Sequence, residues 1–207
     1  PQGQGGKGYK ISSYSAMESE SFTTFTIGSL KPHNYNVVSD PQHLEISKKV
    51  EKFTLENRDC GGADCFGSGH RLGVLRERIE QRIMPKGQGW GLGSTVWYGM
   101  DLFIPHESRE ALNRSLSQTN IATVKQFTLN LDGTAKEKEP TFNLVFKGGK
   151  VQAAVYPTKN VAEVRQLTVA DLDEFLGRWM RLEWTIKFST GDDGVFRFYL
   201  NRELKFE

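Results

Sequence analysis

The sequence predicts an all-β fold, a sandwich or jelly roll with one or two short helices. Short segments rich in β-branched and aromatic residues recur between turn signals. Several of them alternate apolar and polar residues with the period of two that a half-buried strand requires, and only two segments look helical.

In chain order, the first twenty residues are rich in Gly, Ser and Gln without periodicity and read as a flexible arm, leaving 21–207 as a single domain. Nine strands are then expected: Phe22 to Ile27, Glu45 to Glu56, Leu75 to Ile83, Thr95 to Ile104, Thr123 to Leu131, Thr141 to Phe146, Lys150 to Tyr156, Trp179 to Ser189 and Gly194 to Leu200. Lys86-Gly87-Gln88-Gly89, Asp132-Gly133, Gly148-Gly149 and Asp192-Asp193-Gly194 separate them with residues that tolerate positive φ or pre-form a turn. The helical segments are His106 to Ser117 and Val169 to Phe175, the second opened by a capping-box-like Thr168 and Asp171. No repeat of fixed period and no Pro-rich linker divides the chain.

Alternation also assigns faces. From Trp179 to Phe188, Met180, Leu182, Trp184, Ile186 and Phe188 form the buried row, and Phe196, Phe198 and Leu200 do the same against Arg197 and Tyr199. Such one-sided strands suit a sandwich with one concave working surface.

Composition narrows the function. The 207 residues carry 27 Lys+Arg against 25 Asp+Glu, a formal charge of only +2, with 37% hydrophobic residues. That balance is too apolar for a disordered tail and too weakly basic for a dedicated binder of nucleic acid. The longest apolar runs are four or five residues, which excludes a membrane helix. The sequence starts at Pro1 with no Met, no charged n-region and no apolar h-region, so a signal peptide, if one existed, is expected to have been removed or left out.

Four groups of residues could carry chemistry. Arg76, Arg78, Glu80 and Arg82 share one parity of their strand, which spaces the charges about 7 Å apart, a fit to successive carboxylates of an acidic polymer. A solvated face laced by its own Arg–Glu pairs is the alternative. Lys125-Gln126-Phe127-Thr128-Leu129-Asn130 offers amides and a hydroxyl at Gln126, Thr128 and Asn130, able to bind a sugar or polarise a carboxylate, or to form an ordinary polar sheet face. His70, in a Gly-rich loop just before the arginine strand, is a candidate general base; His33, His43 and His106 receive no role. In Asp59-Cys60-Gly61-Gly62-Ala63-Asp64-Cys65, the loop permits a Cys60–Cys65 disulfide, with two free thiols as the alternative, and Asp59 and Asp64 could ligate calcium. Signatures of zinc proteases, α/β-hydrolases and nucleotide hydrolases are absent.

The order of several motifs resembles the heparin lyase I-like and glucuronan lyase-like polysaccharide lyases, which are related to alginate lyases. The motifs are Phe53-Thr54-Leu55-Glu56, the Asp59 to Cys65 loop, Arg76-Glu77-Arg78-Ile79-Glu80-Gln81, Trp97 through Pro105, Lys125-Gln126-Phe127, Pro140 to Phe146, and Gly177-Arg178-Trp179 leading to Tyr199-Leu200-Asn201. The resemblance implies a concanavalin-like β-jelly roll with a concave substrate groove, secretion or a periplasmic location, a structural calcium ion that catalysis does not require, and β-elimination at uronic acids of an anionic polysaccharide by a monomer. It further implies that Arg78 and Gln126 neutralise the uronate carboxylate, while Arg76, Glu80, Arg82, Lys125, Thr128 and Asn130 bind the polymer. Two departures stand out. Thr128 occupies the place where relatives carry histidine, and the sequence ends at Glu207 before a Tyr-x-Lys strand. Either the sequence is truncated or the proton chemistry is done elsewhere, with His70 and Tyr98, then Tyr199, as the expected substitutes. A non-catalytic module that binds acidic polysaccharide is the alternative.

Overall fold

A computed structural model describes residues 9–10, 22–28, 31–42, 49–56, 59, 79–85, 92–114, 119–129, 135–156, 164–189 and 191–207. The chain divides into two compact units, Pro1–Gly91 and Leu92–Glu207.

The first unit holds β1 (Tyr9–Lys10), β2 (Phe22–Gly28), β3 (Tyr35–Ser39), β4 (Lys49–Phe53) and β5 (Ile79–Pro85). Strands β1, β2 and β5 form one antiparallel sheet in that order, and β3 pairs with β4. Tyr9 and Lys10, inside the Gly-rich arm, pair with Thr26 and Phe25, so part of that arm is strand rather than loose chain. Strand β3 escapes the sequence reading because it is short and follows a polar turn. Its Tyr35 packs edge-on against Phe53, centroids 5.3 Å apart, and donates to Glu51 Oε1 at 2.9 Å. Burial, reinforced by Glu51, raises the Tyr35 phenol above its ordinary range.

The second unit runs through β6 (Thr95–Phe103), a 3-10 turn at His106–Ser108, α1 (Arg109–Arg114), β7 (Thr119–Leu129), β8 (Ala135–Lys147), β9 (Lys150–Val155), β10 (Arg165–Asp171), α2 (Leu172–Phe175), β11 (Trp179–Lys187), β12 (Val195–Leu200) and β13 (Glu203–Phe206). These make two antiparallel four-stranded sheets, ordered β10-β9-β8-β7 and β13-β12-β11-β6. Phe142, Leu144, Phe146, Val151 and Ala153 from the first sheet share one core with Met180, Leu182, Trp184, Ile186, Phe198 and Leu200 from the second. Rings meet across the gap: Phe142 lies 5.2 Å from Trp184 and 5.1 Å from Phe196. The unit is a β-sandwich, and the alternation read from Trp179 onward is the reason. Each large apolar side chain buried there contributes about 1.5–3 kcal/mol relative to exposure.

Two helical expectations shift. The segment expected to be helical from Val169 remains in strand β10 to Asp171, because Val169 and Ala170 are buried and Ala170 and Asp171 pair with Val151 and Lys150 of β9. Only Leu172–Phe175 is helix, and its capping box lies later than expected, with the Asp171 N–H donating to Glu174 Oε1 at 3.0 Å. Helix α1 starts at Arg109 after the 3-10 turn, with His106 seated on Gly177. Gly177 has φ +70, and a Cβ there would lie 2.0 Å from His106 Nε2, so both backbone and space demand glycine.

Strand β13, which sequence did not predict, is joined to β12 by Asn201 and Arg202 at φ 50 and 70. Left-handed conformation at both central residues is the pattern of a type I′ hairpin turn. The Asn201 side chain holds the turn by accepting from the Arg181 N–H at 2.9 Å. Among the described residues no helix is long and apolar enough to cross a membrane.

Candidate functional site

Strand β8 builds the site by alternation. With Phe142, Leu144 and Phe146 committed to the core, Asn143 and Val145 occupy the opposite, outer face of the β10-β9-β8-β7 sheet. The same logic on β9 puts Gln152 and Ala154 on that face, beyond which Tyr156 continues the strand with its N–H bonded to Thr141 O. Thr123 of β7 stands in register with Asn143, which in turn pairs with Ala154.

Asn143 is 6% exposed, and its two amide atoms fare differently. Nδ2 donates to Tyr156 Oη in a long contact of 3.4 Å, whereas Oδ1 is buried with no hydrogen-bond partner. An orphaned buried acceptor costs about 1–3 kcal/mol, a cost that sequences normally avoid. The pair therefore presents an acceptor without a donor beside a phenol whose own proton is free to be given. A proton-accepting oxygen matches that phenol.

Strand β7 carries Lys125, Gln126 and Thr128 on the same sheet. Its pairing with β8 shifts register at Asn120/Ala122, Val124/Lys125 and Lys125/Phe127. The last of those shifts lies between Lys125 and Phe127, and from Phe127 to Leu129 the pairing with Glu137, Lys136 and Ala135 is regular. Asn130 itself lies outside the described residues, as do His70, Arg76, Arg78, Asp64, Cys60 and Cys65. Glu80 and Arg82 fall at alternate positions of β5, paired with Ile27 and Phe25.

The two described tyrosine candidates go to different places, and neither lies on the Asn143 face. Tyr98 is turned to the core side of β6, stacked on Trp184 with centroids 5.5 Å apart, and burial pushes its phenol up to about 12. A phenol so placed is a packing residue, poorly suited to exchanging protons with a polymer. Tyr199 occupies the outer face of the other sheet, in register with Glu183.

Among the described residues of the first unit, His33, which the sequence reading passed over, lies against carboxylates. Its Nε2 lies 2.7 Å from Asp59 Oδ2 and 3.6 Å from Glu56 Oε2. Asp59 is fully buried: Oδ2 also accepts from Asn34 Nδ2 and the Glu56 N–H, each at 2.7 Å, and Oδ1 meets the Lys31 ammonium at 2.6 Å. The Lys31 ammonium, above all, holds this carboxylate well below the usual range. Asn34, equally buried, donates to Thr54 O at 2.9 Å and accepts from the Lys31 N–H at 2.9 Å.

This network bears on the calcium expected at Asp59. Calcium takes roughly six to eight oxygen ligands. Asp59 Oδ2 is engaged by His33, Asn34 and the Glu56 N–H, and Oδ1, with no hydrogen bond of its own, is ion-paired with the Lys31 ammonium. His33, Glu56 and Asp59 bring metal-ligating atoms together, but as a set they do not fit calcium among the described residues. The cluster ties the 31–34 turn to Thr54 and Asp59, the residue directly before Cys60.

Sequence reasoning thus missed Asn143 and Tyr156. The available signal was an amide inside the otherwise apolar Phe142-Asn143-Leu144-Val145-Phe146, followed one strand later by a tyrosine just before Pro157. No curated protein and no solved structure matches the chain. A family model described as polysaccharide lyase does match it, over residues 8–207, and on that match across nearly the whole length the chain belongs to the polysaccharide lyase family.

Proposed function

We propose that the protein cleaves a uronic-acid-containing polysaccharide by β-elimination, with the outer face of the β10-β9-β8-β7 sheet as its working surface. The observation that carries this reading is the buried, unpartnered Asn143 Oδ1 beside the Tyr156 hydroxyl. An acidic polymer, of the glucuronan, alginate or heparin type, is favoured by the alternating Arg76, Arg78 and Arg82 of the sequence.

Elimination at a 4-linked uronide removes the proton at C5, forms the C4–C5 double bond and breaks the bond from C4 to the bridging oxygen, which must gain a proton. Amide donors that neutralise the neighbouring carboxylate lower the barrier by stabilising the enolate charge, a role suited to Gln126. Tyr156 closes the proton balance: passing its proton to the leaving oxygen and taking the one from C5 returns it to its starting state. It replaces Tyr98 in this role and makes good the histidine that Thr128 displaces. A secreted monomer follows from the same reading, and outside the cytoplasm a Cys60–Cys65 disulfide would persist.

The test is to incubate the protein with glucuronan, alginate, heparin and pectin while following the ultraviolet absorbance of the unsaturated product. Product from at least one acidic polymer is expected, and Tyr156→Phe should lower its rate by about 10²–10⁴-fold with the fold unchanged by circular dichroism. Affinity for acidic polymer without product would instead identify a binding module that has lost its proton chemistry. Silence on every polymer in both assays overturns the proposal.

A further inference from the structure

The second sheet of the sandwich has an outer face that none of this chemistry uses. Along β6 the outward positions are Trp97, Gly99, Asp101 and Phe103, since Val96, Tyr98, Met100 and Leu102 take the core side. Trp97 is 66% exposed, which is unusual for the largest apolar side chain. Phe103 lies six residues on, about 20 Å along the strand, and forms a second aromatic station with Trp179, their centroids 5.5 Å apart.

Between the two stations the track is low and polar. Gly99 contributes no side chain, and the Arg181 guanidinium lies beside it, its Nη2 3.0 Å from where a Cβ would sit. Asp101 Oδ2 and Glu183 Oε1 hold that guanidinium at 2.9 and 3.3 Å. One cation shared by two partly exposed carboxylates leaves acceptor capacity on their oxygens and a local charge that disfavours further carboxylates. Hydroxyl groups complement such a surface.

We infer that this face is a second carbohydrate-binding surface, on which a hydroxyl-rich run of several pyranose residues lies along β6 from Trp97 to Phe103. The apolar C–H face of a pyranose covers an indole much as another ring would, and its hydroxyls donate to Asp101 and Glu183. The inference rests on the family's polysaccharide substrate and is independent of the roles proposed for Tyr156 and Gln126. Its benefit would be tethering: a polymer held here raises the effective concentration of its remaining length at the enzyme.

Affinity electrophoresis of the full chain through gels containing glucuronan or a neutral β-linked glucan tests this, alongside Trp97→Ala and Trp97→Tyr. Retardation by the neutral glucan is expected, reduced tenfold or more in apparent affinity by Trp97→Ala and largely kept by Trp97→Tyr. Retention by the neutral glucan that weakens in Trp97→Ala supports a hydroxyl-reading surface, whereas retention by glucuronan alone would overturn it, since the carboxylates beside Arg181 disfavour an anionic polymer. Cleavage of a short uronic oligosaccharide, followed separately, should be the same for Trp97→Ala and the parent. Undiminished retardation of Trp97→Ala, or none for the parent in any gel, overturns the inference whatever the outcome of the cleavage assay.

Discussion

Two of the buried polar centres, Asp59 in the first unit and Asn143 in the second, look alike by burial and differ in charge pairing: each has one oxygen without a hydrogen bond, but that of Asp59 faces the Lys31 ammonium. Asp59 is surrounded by donors from Lys31, His33, Asn34 and the Glu56 backbone. Asn143 keeps one long contact to Tyr156 and leaves its carbonyl oxygen without a donor. A carboxylate held by three contacts on one oxygen and an ion pair on the other pins chain segments together. An amide oxygen with neither is held in a less favourable state by the packing around it, and binding can relieve that state.

Substitutions separate the two. The largest stability effect is expected at Asn34→Ala, which removes the bonds to Thr54 O, Asp59 and the Lys31 N–H and should cost about 1–3 kcal/mol by leaving buried Asp59 with one donor fewer and untying the 31–34 turn from Thr54. Urea denaturation of the variant checks this, and an unchanged midpoint would reverse the contrast. Asn143→Leu replaces an unsatisfied amide by an apolar group of similar volume and should change stability by less than about 1 kcal/mol, or raise it, while abolishing product formation. A loss as large as that of Asn34→Ala would mean that Asn143 is structural after all.

Acid should discriminate them as well. The Asp59 pKa is depressed in the folded state, so its stabilisation is fully present above the ordinary carboxylate value of about 4 and is lost as pH falls through the lower, folded value. Hydrogen exchange at the Asn34, Thr54 and Glu56 amides should therefore stay constant down to about pH 4 and quicken below it. Protection persisting unchanged to pH 2 would show that the cluster does not depend on the ionised carboxylate. The smallest effect is expected at Arg202, whose φ of 70 suits glycine better. Arg202→Gly should stabilise the β12–β13 hairpin by up to about 1 kcal/mol, read as a small rise in melting temperature.

The same contrast explains what could be read in the sequence. Strand β11 was legible because core packing alone dictates Met180, Leu182, Trp184 and Ile186, and periodicity reports packing. Strand β10 was taken for a helix start because Thr168 and Asp171 mimic a cap, and only pairing with β9 decides otherwise. Strand β13, with Glu203 and Lys205 in four residues, has too little apolar content to register. The site was less legible than the fold. Asn143 sits at an ordinary outward position, and nothing local to it says that its oxygen ends buried and unpaired. His33 acquires its partner Asp59 from 26 residues away, a pairing that no spacing rule announces.

The bulged pairing of β7 with β8 has a consequence for handling the protein at high concentration. Strand β7 is eleven residues long and stands at the end of its described sheet order, where a flat ribbon of that length would offer a template for another chain to add to. Three register shifts within it twist and interrupt the ladder, spoiling the regular spacing that intermolecular strand addition requires. The irregularity thereby works against the sheet growing into an aggregate.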